Sequence, residues 1–320
     1  MGSAIEHLTL TVNGIRLHVA VAGSGPLVIL LHGFPELWSA WQHQLTALAG
    51  AGYRVAAPDL RGFGQSDAPD DARAYSVLHA AGDVIGLVHA LDASTATLVG
   101  HDWGAPIAWT SALIRPDVIR AVAALNGPYR ARTPRPPSEL LRDSGQDRYY
   151  WFYMQTAAAV AELERDVPAT LRKLLFGVSG DAPPPGEDFV LIAEGRGLLD
   201  AFPDTDQLPA WLDAGHFARL VAEYQRTGFR KPLYLYHNFD YNWELLAAWS
   251  GKRIEQPALM LYGDRDPTLI NPWGKRALEA LPTHVPNVRI QAIHGAGHWL
   301  QQERPAEVSR ALLDFLQGHA

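Results

Sequence analysis

The chain has 320 residues, 48% of them hydrophobic, enough for one sizeable core or for a core with a smaller accessory domain, and too apolar for disorder. Its 27 basic and 34 acidic residues give a net charge of -7, with no Lys/Arg cluster fit to track a phosphate backbone, so a nucleic-acid partner is not expected. There are no cysteines, which excludes disulfides, thiolate catalysis and cysteine metal sites.

The opening stretch MGSAIEHLTL lacks a basic region followed by an apolar run. No segment approaches the ~18 uninterrupted apolar residues of a membrane span, so a soluble cytoplasmic protein without a membrane partner is expected. Leu8 to Val12 and Ile15 to Ala22 alternate in polarity around Asn13-Gly14, the signature of a hairpin. Leu27 to Leu31, Arg54 to Ala57 and Thr95 to Val99 are short apolar runs of the kind buried on both faces of a parallel sheet. Helical patterns lie between them, over Glu36 to Ala49 and Ser76 to Leu91. A further small-residue helix is expected to begin just after Asp102. The alternation stops near Gly127 and resumes with a strand at Ala258 to Tyr262, a helix around Trp273 to Leu281, a strand at Val288 to Ile293 and a last helix from Pro305 to Leu316. Strand and helix alternate, which indicates an α/β fold with a mostly parallel sheet.

The interruption is helical and aromatic (RYYWFYMQ, PAWLDAGHF, FRKPLYLYHNFDYNW), apart from the proline- and arginine-rich PYRARTPRPPSEL and an internal loop at GDAPPPGEDF. Because the chain leaves and re-enters between two strands, a lid is favoured over an independent domain. The expected division is a core of residues 1–128 and 251–320 with a helical cap over 129–250.

Gly100-His101-Asp102-Trp103-Gly104 fits a strand, nucleophile, helix elbow, whose sharp turn exposes the middle residue and whose small neighbours avoid clashes. Asp102 also fits the simpler role of a helix N-cap between two turn glycines. Three features weigh against that role. LLHGFP, Leu30 to Pro35, follows a buried strand and brings the N–H groups of a tight turn near the elbow, where an oxyanion hole is built. An acid follows the next-to-last strand in LYGDRDP, and a histidine follows the last in HGAGHW; nucleophile, acid, histidine is the order of the α/β-hydrolase fold.

HGFP, DLRGFGQSD, GHDWGA, GDRDP, GAGHWLQQERP and YHNFDYNW together span most of the core and both ends of the insert. On these motifs the whole chain resembles an α/β-hydrolase of the epoxide hydrolase family. The resemblance implies a mostly parallel eight-stranded sheet flanked by helices, with an inserted helical cap. It also implies Asp102 as nucleophile, His298 as general base and Asp266 as the residue orienting it. The backbone N–H groups of Phe34 and Trp103 would form the oxyanion hole. Paired cap tyrosines would serve as proton donors: Tyr236 matches one, and the other lies in YYWFYMQ, where counting from the Met-Gln end favours Tyr150 over Tyr149 and Tyr153.

The chemistry is coherent on its own terms. A carboxylate with a reference pKa of about 3.9 is already ionised at neutral pH and can attack a saturated carbon without a base. Opening a strained three-membered ring leaves an ordinary ester, whereas attack on an ester or amide carbonyl would leave an anhydride. His298, with a reference pKa of about 6.5, could then deprotonate a water that attacks the ester, Asp266 fixing its tautomer. An epoxide's leaving oxygen needs a proton, and tyrosines with a reference pKa of about 10 can give one. A halide needs none, so a haloalkane dehalogenase would instead want halide-binding N–H donors: Trp103 could supply one, but Phe34 stands where an asparagine often serves. A non-catalytic ligand-binding homologue would predict a broken catalytic set, and none of its members is missing.

Simpler readings accompany the supporting residues. Asp264 could orient the histidine, although Gly-x-x-Asp spacing favours Asp266 and leaves Asp264 as a turn cap. His294 and His298 are four apart, but Gly295 and Gly297 make the segment a loop without a third ligand, so neither metal nor cofactor is expected. His32 and His101 read as hydrogen-bonded structural residues. The aromatic cap implies an apolar or aryl epoxide, with water as co-substrate.

Overall fold

The computed structural model describes residues 4–183 and 189–319, so the middle of the GDAPPPGEDF loop, residues 184–188, lies outside the described residues. Strands β1 (Glu6–Val12) and β2 (Ile15–Ala22) form the expected antiparallel hairpin, with Val12 opposite Ile15 across Asn13-Gly14. There follow β3 (Leu27–Leu31), α1 (Gln42–Gly50), β4 (Arg54–Pro58), α2 (Val77–Ala90), β5 (Ala96–His101), α3 (Gly104–Ile114) and β6 (Ile119–Leu125). The insert carries α4 (Pro137–Asp143), α5 (Tyr150–Tyr153), α6 (Ala157–Arg165), α7 (Val167–Gly177), α8 (Ala214–Thr227), α9 (Arg230–Leu233) and α10 (Phe239–Leu245). The sheet resumes with β7 (Ala258–Gly263), α11 (Pro267–Ile270), α12 (Pro272–His284) and β8 (Val288–Ile293), and the chain closes on α13 (Leu300–Glu303) and α14 (Pro305–Gln317).

The eight strands form one sheet in the order β1-β2-β4-β3-β5-β6-β7-β8. Only the pairings of β2, with β1 and with β4, are antiparallel. Alternate residues of the central strands feed two cores, as the two-residue period of a strand requires. Val28 and Leu30 of β3 join Leu45 and Leu48 of α1 and Leu312 and Leu316 of α14. Ile29 and Leu31 face the other way, toward Val84 and Leu87 of α2, Trp109 of α3 and the insert's Leu163 and Leu171. The insert thus continues one of the two cores, the fold being an α/β-hydrolase with a helical cap. Among the described residues no helix is long and apolar enough to cross a membrane.

Two elements depart from the expectation. The helix expected from Glu36 starts only at Gln42, after a 3-10 turn over Trp38–Trp41. Glu36 is instead fully buried, accepting from Gln302 Nε2 at 2.6 Å and lying 2.9 Å from His216 Nε2 on α8. β6 is the second: IRAVAAL is alanine-rich and equally suited to a helix, yet it forms a strand paired on both sides, between β5 and β7.

Candidate active site

β5 and α3 are joined by Asp102, whose φ of 50° places a non-glycine residue in the left-handed region, where Asp is better tolerated than most. The turn is closed by tight backbone contacts. A Cβ on Gly104 would lie 2.1 Å from the Leu31 carbonyl oxygen, and one on Gly33 would lie 2.1 Å from Asp102 Oδ1, so both positions must be glycine. The Asp102 carboxylate does not cap α3, whose N-cap is Trp103 with no side-chain bond. It remains 24% exposed.

Its two oxygens differ. Oδ1 accepts the Phe34 backbone N–H at 2.8 Å. Oδ2 lies 3.6 Å from His298 Nε2, an ion-pair distance. The other ring nitrogen, His298 Nδ1, is 3.0 Å from Oδ2 of the fully buried Asp266. Asp266 Oδ1 accepts from the backbone N–H of Thr268 at 2.9 Å and its hydroxyl at 2.8 Å. Burial opposes a charge on His298, but the Asp266 and Asp102 carboxylates outweigh it, and the imidazole is pushed up to about 10. Burial likewise opposes the Asp102 charge, and the hydrogen bond and field of His298 overcome it, holding this carboxyl below its ordinary value. His298 thus stands between two carboxylates, the half-buried Asp102 and the fully buried Asp266, and both favour its charged form.

The base loop is fixed from several sides. Its His298 carbonyl accepts from His101 Nε2 and from Asn126 Nδ2, each at 2.7 Å. Gln301 Nε2 donates to His101 Nδ1 at 3.2 Å, which sets the His101 tautomer, and burial followed by the field of His298 pushes that ring down to about 4. Asn126 also accepts the Gly263 N–H at 2.9 Å, tying the end of β7 to the loop after β8. Neither Asn126 nor Glu303, whose carboxylate accepts the Gly297 and Trp299 N–H groups, was singled out from the sequence. Asn126 follows the alanine-rich β6, and Glu303 lies within GAGHWLQQERP, where nothing local marks it as an acceptor for distant backbone N–H groups.

The insert supplies an aromatic wall. The Tyr236 ring is 5.1 Å from Trp103, 6.1 Å from Phe34 and 6.3 Å from Tyr150. Trp151 stacks on Phe239 at 3.8 Å. Tyr149 lies beside Tyr150 at 5.0 Å, whereas the Tyr153 hydroxyl donates to Glu162 at 2.9 Å. Burial first, then the field of Asp102, raises the Tyr236 phenol above its ordinary value; burial and the neighbouring tyrosines do the same for Tyr150, so both keep their protons.

Asp264 lies in the adjacent turn, bonded to the Gly295 N–H at 2.8 Å and to the exposed His294 at 2.6 Å. His32 is buried between the Gly33 carbonyl at 2.8 Å and the Leu60 N–H at 3.0 Å.

Residues 26–305 match the family model described as alpha/beta hydrolase fold. The chain is similar to epoxide hydrolase A of Mycobacterium tuberculosis, with 42% identity over 99% of each chain. An epoxide hydrolase of Caballeronia sordidicola is 38% identical over 98% of this chain and 94% of the other. Among solved structures, an epoxide hydrolase from an endophytic Streptomyces superposes with a TM-score of 0.94 at 43% identity, covering 98% of this chain and 96% of that one. Epoxide hydrolase A from Mycobacterium thermoresistibile gives 0.92 at 39% identity over 99% of both.

Proposed function

We infer the reaction from the premise that this chain belongs to the epoxide hydrolase family of the α/β-hydrolase fold. It is a hydrolase acting on ether bonds, adding water to an epoxide to give a vicinal diol. The proposed course has two steps. Asp102 Oδ2 attacks a ring carbon while Tyr236 and Tyr150 donate to the departing oxygen, leaving an ester on Asp102. His298 then takes a proton from a water that attacks the ester carbonyl. Asp266 holds the ring, and the N–H groups of Phe34 and Trp103 receive the oxyanion. The elevated His298 value fits this order: esterification removes the Asp102 charge that helps to keep the imidazole protonated, so the base is released when it is needed.

The observation that carries this reading is the Asp102 carboxylate, one oxygen held by Phe34 N–H and the other facing His298, beside the buried Tyr236 and the half-buried Tyr150. The proposal includes a cap over residues 129–250 on a core of 1–128 and 251–320, an apolar or aryl epoxide as substrate, and a cytoplasmic setting. Styrene-type, aliphatic and fatty-acid epoxides assayed beside a haloalkane panel test it. Diol formation from an aryl epoxide without comparable halide release is expected, and the reverse preference would overturn it.

A further inference from the structure

His298 sits on a loop that the insert touches directly. The His298 N–H donates to the Val178 carbonyl at 2.8 Å, and the Trp299 indole N–H donates to the Leu175 carbonyl at 2.8 Å. The approach is so close that a Cβ on Gly297 would lie 2.2 Å from the Gly180 nitrogen. Between these two stretches of backbone stands one side chain, Glu303, 5% exposed. Its Oε2 accepts the N–H of Gly297 at 2.8 Å and of Gly180 at 2.9 Å, and its Oε1 accepts the N–H of Trp299 at 3.0 Å. It makes no ion pair among the described residues, so these N–H groups are its partners. Two of the three donors immediately flank His298 in the chain, and the third belongs to the insert.

We propose that Glu303 is a positioning residue for the ester-hydrolysis step, its carboxylate pinning both neighbours of His298 and locking them to the insert at Gly180. The inference rests on the assignment of His298 as the base of the second step. A carboxylate is suited to this because it is acceptor-only: both oxygens can serve N–H donors at once, and an amide cannot do so without turning its own NH2 against one of them. The loop held by Glu303 carries no other group of the proposed mechanism. Displacing it therefore acts first on the base, while Asp102 keeps its Phe34 N–H contact and the phenols keep their places.

The test is Glu303→Gln, followed in single turnover with a styrene-type epoxide, with the protein-bound adduct quantified by mass spectrometry. Adduct formation should keep the wild-type rate. Adduct loss should slow by on the order of 10²-fold, as a misplacement of about 1 Å commonly does, and the adduct should become the dominant steady-state species. Glu303→Asp, which keeps the charge but is one methylene too short to reach all three donors, should show the same split. Equal slowing of both steps, wild-type hydrolysis in both variants, or failure of both to fold would overturn the proposal, the last by making Glu303 purely structural. Absence of an adduct in the wild type and in His298→Gln would instead overturn the covalent reading on which the inference stands.

Discussion

Asp102 Oδ1 accepts the Phe34 backbone N–H at 2.8 Å while the partner oxygen faces His298, so the two oxygens of one carboxylate are held in different surroundings. They should have different fates. In the proposed course Oδ2 forms the ester and leaves with the diol, and the oxygen of the attacking water, arriving from the His298 side, takes its place. After a single turnover in heavy-oxygen water the label should be in Asp102, and after many turnovers the residue should carry one heavy oxygen and never two. Label found only in the diol after one turnover would eliminate the ester, and double labelling would show that the Phe34 contact does not hold the carboxylate against rotation.

Ester formation does not use His298, and ester hydrolysis does. His298→Gln incubated with a reactive epoxide should accumulate protein plus substrate mass at close to the wild-type rate of the first step. Rapid multiple turnover by this variant would remove His298 from the role.

The imidazole pushed up to about 10 gives a pH dependence that differs between the two steps. Alkylation needs Asp102 ionised and is indifferent to a neutral imidazole, so its rate should show no rise through the usual histidine range. Hydrolysis proceeds with Asp102 esterified, and its rate should climb with an apparent pKa below about 10 because one of the two flanking charges is gone. The same raised value predicts stability. The ion-pair contribution is fully present below about pH 6.5, the unfolded value, and is lost as pH rises toward about 10. Thermal midpoints of the wild type should fall across that window more steeply than those of His298→Gln, and parallel slopes would contradict the assignment.

Tyr236→Phe or Tyr150→Phe leaves one phenol 6.3 Å across the site from the lost one and should slow ring opening moderately. The double variant should be far slower, since general-acid assistance is typically worth on the order of 10²- to 10⁴-fold, while hydrolysis of an ester already formed is spared. Bromoalkane turnover would measure what the Asp102 attack achieves without a proton donor. An unchanged epoxide alkylation rate in the double variant would show that the cap phenols are not the acid.

Much of this architecture is legible in the sequence because its signals are local. Asp102 and Asp266 each follow a strand with an apolar run, His298 follows the alternating VRIQAI, and the glycines around Asp102 mark a turn that only close backbone packing requires. What was hidden depends on partners distant in the chain. Glu36 looks like a helix start until His216, 180 residues away, is placed against it, and the burial of Glu303 is bound up with a donor 123 residues upstream. β6 was hidden for another reason: alanines carry no β-branched signature, and a strand buried on both faces lacks the alternation that would expose it. Among the three tyrosines of YYWFYMQ the sequence offered only a count, whereas in space Tyr153 is engaged by Glu162 and Tyr150 faces Tyr236.

The insert and the sheet divide the proposed reaction between them: ring opening borrows its acids from the insert, and the reacting groups of ester cleavage all stand on turns of the sheet. Selectivity can therefore drift through successive generations of insert sequence without the hydrolytic apparatus being rebuilt, since replacing the Trp151–Phe239 stack leaves the Asp102, His298 and Asp266 distances alone. The stretch from Leu175 to Gly180 is exempt from that freedom, because there the insert rests on the base loop. A grafted insert that keeps this stretch should inherit its donor's taste in epoxides along with a working second step, and one that loses it should open rings and then stall as the ester.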